Sequence, residues 1–271
     1  MSNPNHTLSL AVMSGKGGVG KTNLALNLGC SLYDQGHSVL LMDCDLGLAN
    51  LDVLLGIAPE RNLQDLLVDG VNARDVVAHV EERGFDVLPA ASGVPELVDM
   101  DEDMRQILTS KLMDLVSSYQ FVILDLGAGI NRTVLTFAAM AQQRLVVVTP
   151  EPTSLTDSYA LIKVLATQHH VEHFCTVVNM AADAKEAALT FKRLNQACEN
   201  FLGITLTSLG HVLQDNALTE AVRRQTPLMR LNPKALAARD IAALAGKYVL
   251  YRRGQAQALQ GRPALGAFPE L

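Results

Sequence analysis

Tryptophan is absent from these 271 residues, and aromatic residues of every kind make up only 4%. A core with so few rings has to be filled by Ala, Leu, Val and Met. The supply is ample, because 49% of the chain is hydrophobic and the mean hydropathy is +0.18, which excludes wholesale disorder. Basic charge is also scarce. Against 28 Asp and Glu stand 22 Lys and Arg, a net of −6, so no global positive field exists to hold nucleic acid and direct nucleic-acid binding is not expected. The four cysteines (Cys30, Cys44, Cys175, Cys198) lie far apart with no C-x-x-C between them. That excludes a zinc finger or dithiol motif and fits free thiols in a reducing compartment. The long uncharged stretch from Asn200 to Gln214 carries Asn, Thr, Ser, His and Gln, so it does not read as a membrane span. No basic region followed by an apolar one opens the chain, and a cytoplasmic protein is expected.

What is present is an alternation. Leu8–Met13 reads as a short buried strand, and Thr22–Asp34 as a helix with Leu24, Leu28 and Leu32 on one face. Strands are expected at 38–42, 85–89, 121–124, 145–149, 175–178 and 206–212. Helices are expected at 63–67, 103–118, 133–142, 154–167, 184–201, 215–225 and 233–251. Residues 44–60 show no regular pattern. Near-continuous apolar strands alternating with helices imply a mostly parallel twisted sheet covered by helices on both faces, an α/β fold. No internal repeat or linker divides the chain, so one domain is expected over 8–252, between a flexible N-terminus at 1–7 and a flexible tail at 253–271.

The strongest motif is Gly15-Lys16-Gly17-Gly18-Val19-Gly20-Lys21-Thr22, which fits G-x-x-x-x-G-K-T between a strand and a helix. Glycines let backbone N–H groups converge on phosphates, and the helix that follows adds its positive N-terminal end. Lys21 would reach the β- and γ-phosphates and the Thr22 hydroxyl would ligate Mg²⁺. Asp43 and Asp45 follow the second strand, where an open α/β sheet places its ligand crevice. Phe121-Val122-Ile123-Leu124-Asp125 is an apolar run ending in a carboxylate, a pattern whose Asp usually holds a magnesium-bound water. No N-K-x-D tetrapeptide for guanine occurs, which favours ATP over GTP.

With its leading lysine, this loop resembles the K-G-G-x-G-K-[ST] of the MinD/ParA-type deviant Walker A ATPases, a MinD-like branch of the P-loop NTPases. Asp43-Cys44-Asp45-Leu46-Gly47-Leu48-Ala49-Asn50-Leu51-Asp52 is similar to that family's D-x-D-x-G-x-x-N-x-D. The resemblance implies that Lys16 reaches across a nucleotide-sandwich homodimer to the partner's phosphates. It places Asp45 at the attacking water, Asp43 in the magnesium shell and Asn50 at the γ-phosphate. It places Asn179 at the adenine; where the family usually has Pro after the last strand, this chain has Val212-Leu213-Gln214-Asp215, so adenine stacking is expected on the backbone and Leu213. Leu126 and Gly127 depart from the family's D-[ST]-[PA]-A-G-I, whereas Gly129-Ile130 keep its end.

Glu151-Pro152-Thr153-Ser154, then Asp157, Tyr159 and Ile162-Lys163, resemble the E-P-T-S-x-x-D-A-Y-x-x-I-K of the flagellar subfamily called FlhG, FleN or YlxH. Lys21-Thr22-Asn23, Val53-Leu54-Leu55-Gly56 and Pro89-Ala90-Ala91-Ser92-Gly93 point the same way, so the resemblance covers about residues 8 to 250. It implies a slow ATPase switch that controls flagellar number or placement through the flagellar GTPase FlhF or a transcription activator. A division-site or plasmid/chromosome-positioning ATPase is the alternative, and an ATP-dependent metabolic enzyme of the same superfamily a more distant one. Asp157 is either a partner contact or an ordinary first-turn acid. Thr153 or Ser154 is the expected N-cap. Ile241, Leu244, Tyr248 and Tyr251 recur at helical spacing near Arg252 and Arg253. The stripe could meet the inner face of a membrane, and core packing is the favoured reading.

Overall fold

The computed structural model describes residues 3–45, 50–68, 70–80, 85–90 and 102–267, with backbone alone for 102–106. The expected motif positions Leu46–Ala49 and Ala91–Gly93 lie outside the described residues. Strand β1 (Leu8–Ser14) leads through the glycine loop into helix α1 (Lys21–Asp34), then β2 (Val39–Cys44) and the short α2 (Leu51–Leu55). Two 3₁₀ turns, Leu63–Leu67 and Ala73–Val76, precede β3 (Ala78–Val80) and β4 (Phe85–Leu88). The chain then alternates through α3 (Glu102–Val116), β5 (Phe121–Ala128), α4 (Arg132–Met140), β6 (Gln143–Val148), α5 (Pro152–His169), β7 (Cys175–Ala181), α6 (Ala184–Leu202) and β8 (Thr207–Leu213). Helices α7 (Asn216–Arg223), α8 (Leu228–Leu231), α9 (Leu236–Gly254) and α10 (Ala256–Gln260) close it.

The strands form one sheet in the order β3-β4-β2-β5-β1-β6-β7-β8, parallel throughout except for the edge pair β3–β4. In β1, Ala11 and Met13 enter one apolar core while Leu8, Leu10 and Val12 enter the other. That period of two explains why the strands read as continuous apolar runs: both faces are covered. The first core lies beneath α3, α4, α5 and α6, and the second beneath α1 and α9. Local signals set the helix ends. Asn131 and Asp183 accept from the backbone N–H groups of Val134 and Glu186, and α6 stops at Gly203 in the left-handed region, φ 69°. At α5 the N-cap is Glu151 with Pro152 at the first helical position, in place of Thr153 or Ser154; the Ser154 hydroxyl instead accepts from the Thr149 N–H.

Both expected loose ends are held over their described residues. Asn3 and Thr7 are buried and bonded to each other, and Arg252 donates to the carbonyls of Asn5 and His6. Beyond α9, Leu259, Ala264 and Leu265 are buried, and the Gly266 N–H donates to Met140 O. Enough apolar side chains sit in that segment to dock it, although its Gly and Pro content reads as loop. Ile241, Leu244 and Tyr248 of α9 are in the core, as favoured, whereas Tyr251 is exposed and its hydroxyl accepts from Gln143 Nε2. Among the described residues no helix is long and apolar enough to cross a membrane.

Candidate functional site: a phosphate loop at the C-terminal rim of the sheet

β1 is central, so the loop that follows it emerges in the middle of the sheet's C-terminal rim. Gly18 and Gly20 have φ of 77° and 83°, a conformation that a side chain would strain. A Cβ on Gly20 would also lie 2.6 Å from the Asn179 amide nitrogen. Glycine at 20 is thus required twice, by the turn and by the close approach of β7. Asn179 Nδ2 donates to Val19 O at 2.8 Å and pins the loop from that side. α1 begins at Lys21, with its unpaired N–H groups at the end of the loop.

Beneath the loop lie the carboxylates. Asp43 and Asp125 are register partners on adjacent strands β2 and β5, and both are buried. Asp43 accepts from the backbone of Asp45 at 3.0 Å, Asn50 at 3.1 Å and Leu51 at 3.3 Å, so it organises the segment leading into α2. Burial nevertheless pushes its pKa up to about 6, with the Asp45 charge adding to the rise. Asp125 is pushed up to about 7 by burial and by Asp43 and Asp45; Lys21 and a hydrogen bond from Thr22 oppose the rise. One Asp125 oxygen is buried with no partner. Cys44, between these acids, has its thiol held well above the usual range and is not a nucleophile.

These residues fit a magnesium–nucleotide group. Two buried acids lie side by side, only Asp125 feels the charge of Lys21, and one Asp125 oxygen is left unpaired, a charge pattern that an added cation would relieve. No group of three His, Cys, Asp or Glu among the described residues could hold a metal unaided. The ion would therefore rest on the Thr22 hydroxyl and the nucleotide's own oxygens, with Asp43 and Asp125 behind water, as a phosphate loop uses it.

Asp45 is half-buried and stands against Gly127: a Cβ on that glycine would come within 3.3 Å of the Asp45 carboxylate. The departure from the family pattern at Gly127 therefore makes room for Asp45. Asn50 caps α2 with its backbone and is exposed. Asn23 and Asn179 line a cavity of about 130 Å³ beside the loop, with Met180, Val212, Leu218 and Ile241. Leu213 does not line it. Strand alternation turns Leu213 to the opposite core and puts Val212 on the cavity side. Met180, at φ 56°, and Ile241 of α9 carry no local signal that would have marked them. The expected trans residue Lys16 is engaged within its own chain: its ammonium pairs with Glu151 and donates to Thr153 Oγ1 at 3.0 Å.

A central strand, a glycine loop opening a helix, and two strand-end carboxylates beneath it define a P-loop nucleotide-binding protein. Known proteins agree with that class. The AAA domain family matches residues 8–175. The antiactivator FleN of Pseudomonas aeruginosa is 38% identical over 238 residues, covering 88% of this chain and 85% of that protein. The flagellum site-determining protein YlxH of Helicobacter pylori is 31% identical, covering 91% and 83%. The cell division ATPase MinD of Pyrococcus furiosus superposes with a TM-score of 0.68 at 26% identity, covering 90% of this chain and 99% of that one. The chain belongs to the MinD/ParA-type ATPases, in the FlhG/FleN (YlxH) group. That membership makes ATP with Mg²⁺ the ligand of the loop.

Proposed function

We propose that the protein is an ATP-driven dimerising switch that hydrolyses ATP to ADP and phosphate and regulates flagellar number or placement. The observation that carries the reading is the stack of Lys21, Thr22, Asp125 and Asp43 under the glycine loop, with Asp45 at its mouth beside Gly127. Lys21 and the α1 N-terminus hold the β- and γ-phosphates. Asp45 orients a water in line with the γ-phosphorus; a P–O bond forms to that water as the bond to the β-γ bridging oxygen breaks. Asn50 bears on the γ-phosphate through the segment that Asp43 organises. Lys16 binds the partner's phosphates, so two subunits share one γ-phosphate charge and its loss loosens the dimer. Adenine lies in the cavity of Asn23, Asn179, Met180 and Val212.

The name antiactivator of the Pseudomonas relative supports a transcription activator as partner, with the flagellar GTPase FlhF second. The protein acts in the cytoplasm or peripherally, at the inner face of the membrane or the cell pole. A division-site role is the other reading, supported by the septum site-determining protein MinD of Bacillus subtilis, 30% identical over 86% of this chain.

Light scattering of the Asp45→Ala protein tests the switch. A dimer with Mg-ATP and a monomer with Mg-ADP is the expected result. A mass indifferent to the nucleotide would overturn the reading and point to a constitutive oligomer.

A further inference from the structure

A second opening lies at the end of the sheet away from the phosphate loop. Strands β6, β7 and β8 begin there, and the C-terminal half of α9 packs beside them. Between them is a cavity of about 300 Å³, at the small end of the range for ligand pockets. Its walls are apolar where Phe174 and Tyr248, both buried, meet Leu209. Its rim is polar and tied together. Cys175 Sγ donates to Gln143 Oε1 at 3.6 Å, and Gln143 Nε2 donates in turn to the Tyr251 hydroxyl at 2.7 Å. Cys175 and Asn179 stand at opposite ends of β7, about 13 Å apart along the strand, so the cavity is separate from the one beside the loop.

The unused hydrogen-bonding groups here include several donors. Tyr251 accepts from Gln143, which leaves its own proton to donate. Lys247 Nζ spends one N–H on Leu209 O at 2.8 Å and keeps the others. The Tyr248 hydroxyl is buried with no hydrogen-bond partner among the described residues. Behind the rim lies Arg144, half-buried, whose charge is felt by both Cys175 and Tyr251. It donates to Gln142 O, and its Nε is buried without a partner. Neither Arg144 nor Lys247 pairs with a carboxylate among the described residues, and none of the described residues lining the cavity is acidic. Apolar walls, spare donors and two cations without counter-charge are complementary to an anion carried on an apolar body. We propose that this cavity binds a small amphipathic carboxylate, its apolar chain against Phe174, Leu209 and Tyr248 and its head at Lys247 and the Tyr251 hydroxyl. The site works in a single subunit and does not depend on dimerisation or hydrolysis.

Calorimetry of the full chain tests this, with Mg-ADP at saturation so that the nucleotide site is filled. The probes are octanoate and 1-octanol, which carries the same chain without the charge. One octanoate should bind per chain, roughly 5-fold tighter than octanol, the gain expected of a solvent-screened lysine. Lys247→Met keeps the apolar stem and removes the charge, so it should cut that preference to about 2-fold or less. Thr207→Trp, at the exposed rim of the cavity, should plug it and weaken both probes by at least roughly 10-fold. Both substitutions alter exposed side chains, and the melting temperature of each variant separates loss of the site from loss of the fold. Octanoate should also slow alkylation of half-buried Cys175 by iodoacetamide several-fold, read by mass spectrometry. No saturable binding and no protection of Cys175 would overturn the site. Binding that survives Thr207→Trp would place the ligand elsewhere and overturn it equally. Equal affinity for octanoate and octanol in the parent would overturn the preference for an anion.

Discussion

Two lysines five positions apart in one loop occupy opposite environments. Lys21 opens α1, is 8% exposed, and lies close enough to Asp125 to oppose the rise in that acid's pKa. Lys16 is at the half-exposed front of the loop and is held by side chains of α5. The first is fixed by the fold, because it cannot leave without abandoning a buried carboxylate. The second is held by groups that water and salt can replace. One loop thus combines a rigid lysine with a movable one, and burial makes the difference.

The largest expected effect breaks the rigid half. Lys21→Ala should weaken Mg-ATP binding by about 100-fold, measured by calorimetry, since a charge-assisted contact and the counter-charge of Asp125 go together. Lys16→Ala should change nucleotide affinity by only about 3-fold yet abolish the ATP-dependent dimer in light scattering; equal losses from both variants would erase the distinction. Gly15→Ala should force α5 away from the loop. A cost of about 3 kcal/mol and a melting temperature lower by roughly 6–12 °C are expected by calorimetric scanning.

A subtler effect concerns Asp125. Its folded pKa, about 7, is raised above the ordinary 3.8, so the folded state keeps a proton that the unfolded chain releases. Stability from this group is present below about pH 4 and is lost as pH rises to about 7. In nucleotide-free protein, Asp125→Asn should therefore gain melting temperature relative to the parent across that window. A difference between the two proteins that is flat with pH would refute the assignment.

The site was more legible than its surroundings. Gly15 to Thr22 could be read as a phosphate loop because spacing and residue type carry the chemistry. The strand-end positions of Asp43 and Asp125 followed from apolar runs that stop at a carboxylate. The long alternating elements were readable for the same reason. What escaped were segments too short for a period to develop: α2, the 3₁₀ turn at Ala73–Val76, β3, α8 and α10. That Val212, and not Leu213, lines the cavity beside the loop is a one-residue question of strand face, which an end-of-strand bulge between Asn179 and Ala181 obscures. Met180, Ile241 and the hold of Glu151 on Lys16 join residues distant in sequence, and only the folded topology brings them together.

Strand order also governs when the protein becomes competent during synthesis. The loop is complete by residue 22, but β1 pairs with β5 and β6, and Val19 is pinned by Asn179 of β7. A ribosome adding about 5–20 residues per second needs roughly 10–35 s to reach β7. Until then the glycine loop has no walls, and a nascent chain holds no assembled site with which to capture nucleotide or a finished subunit. Premature termination before β7 would accordingly give inert fragments rather than ones that poison the mature dimer.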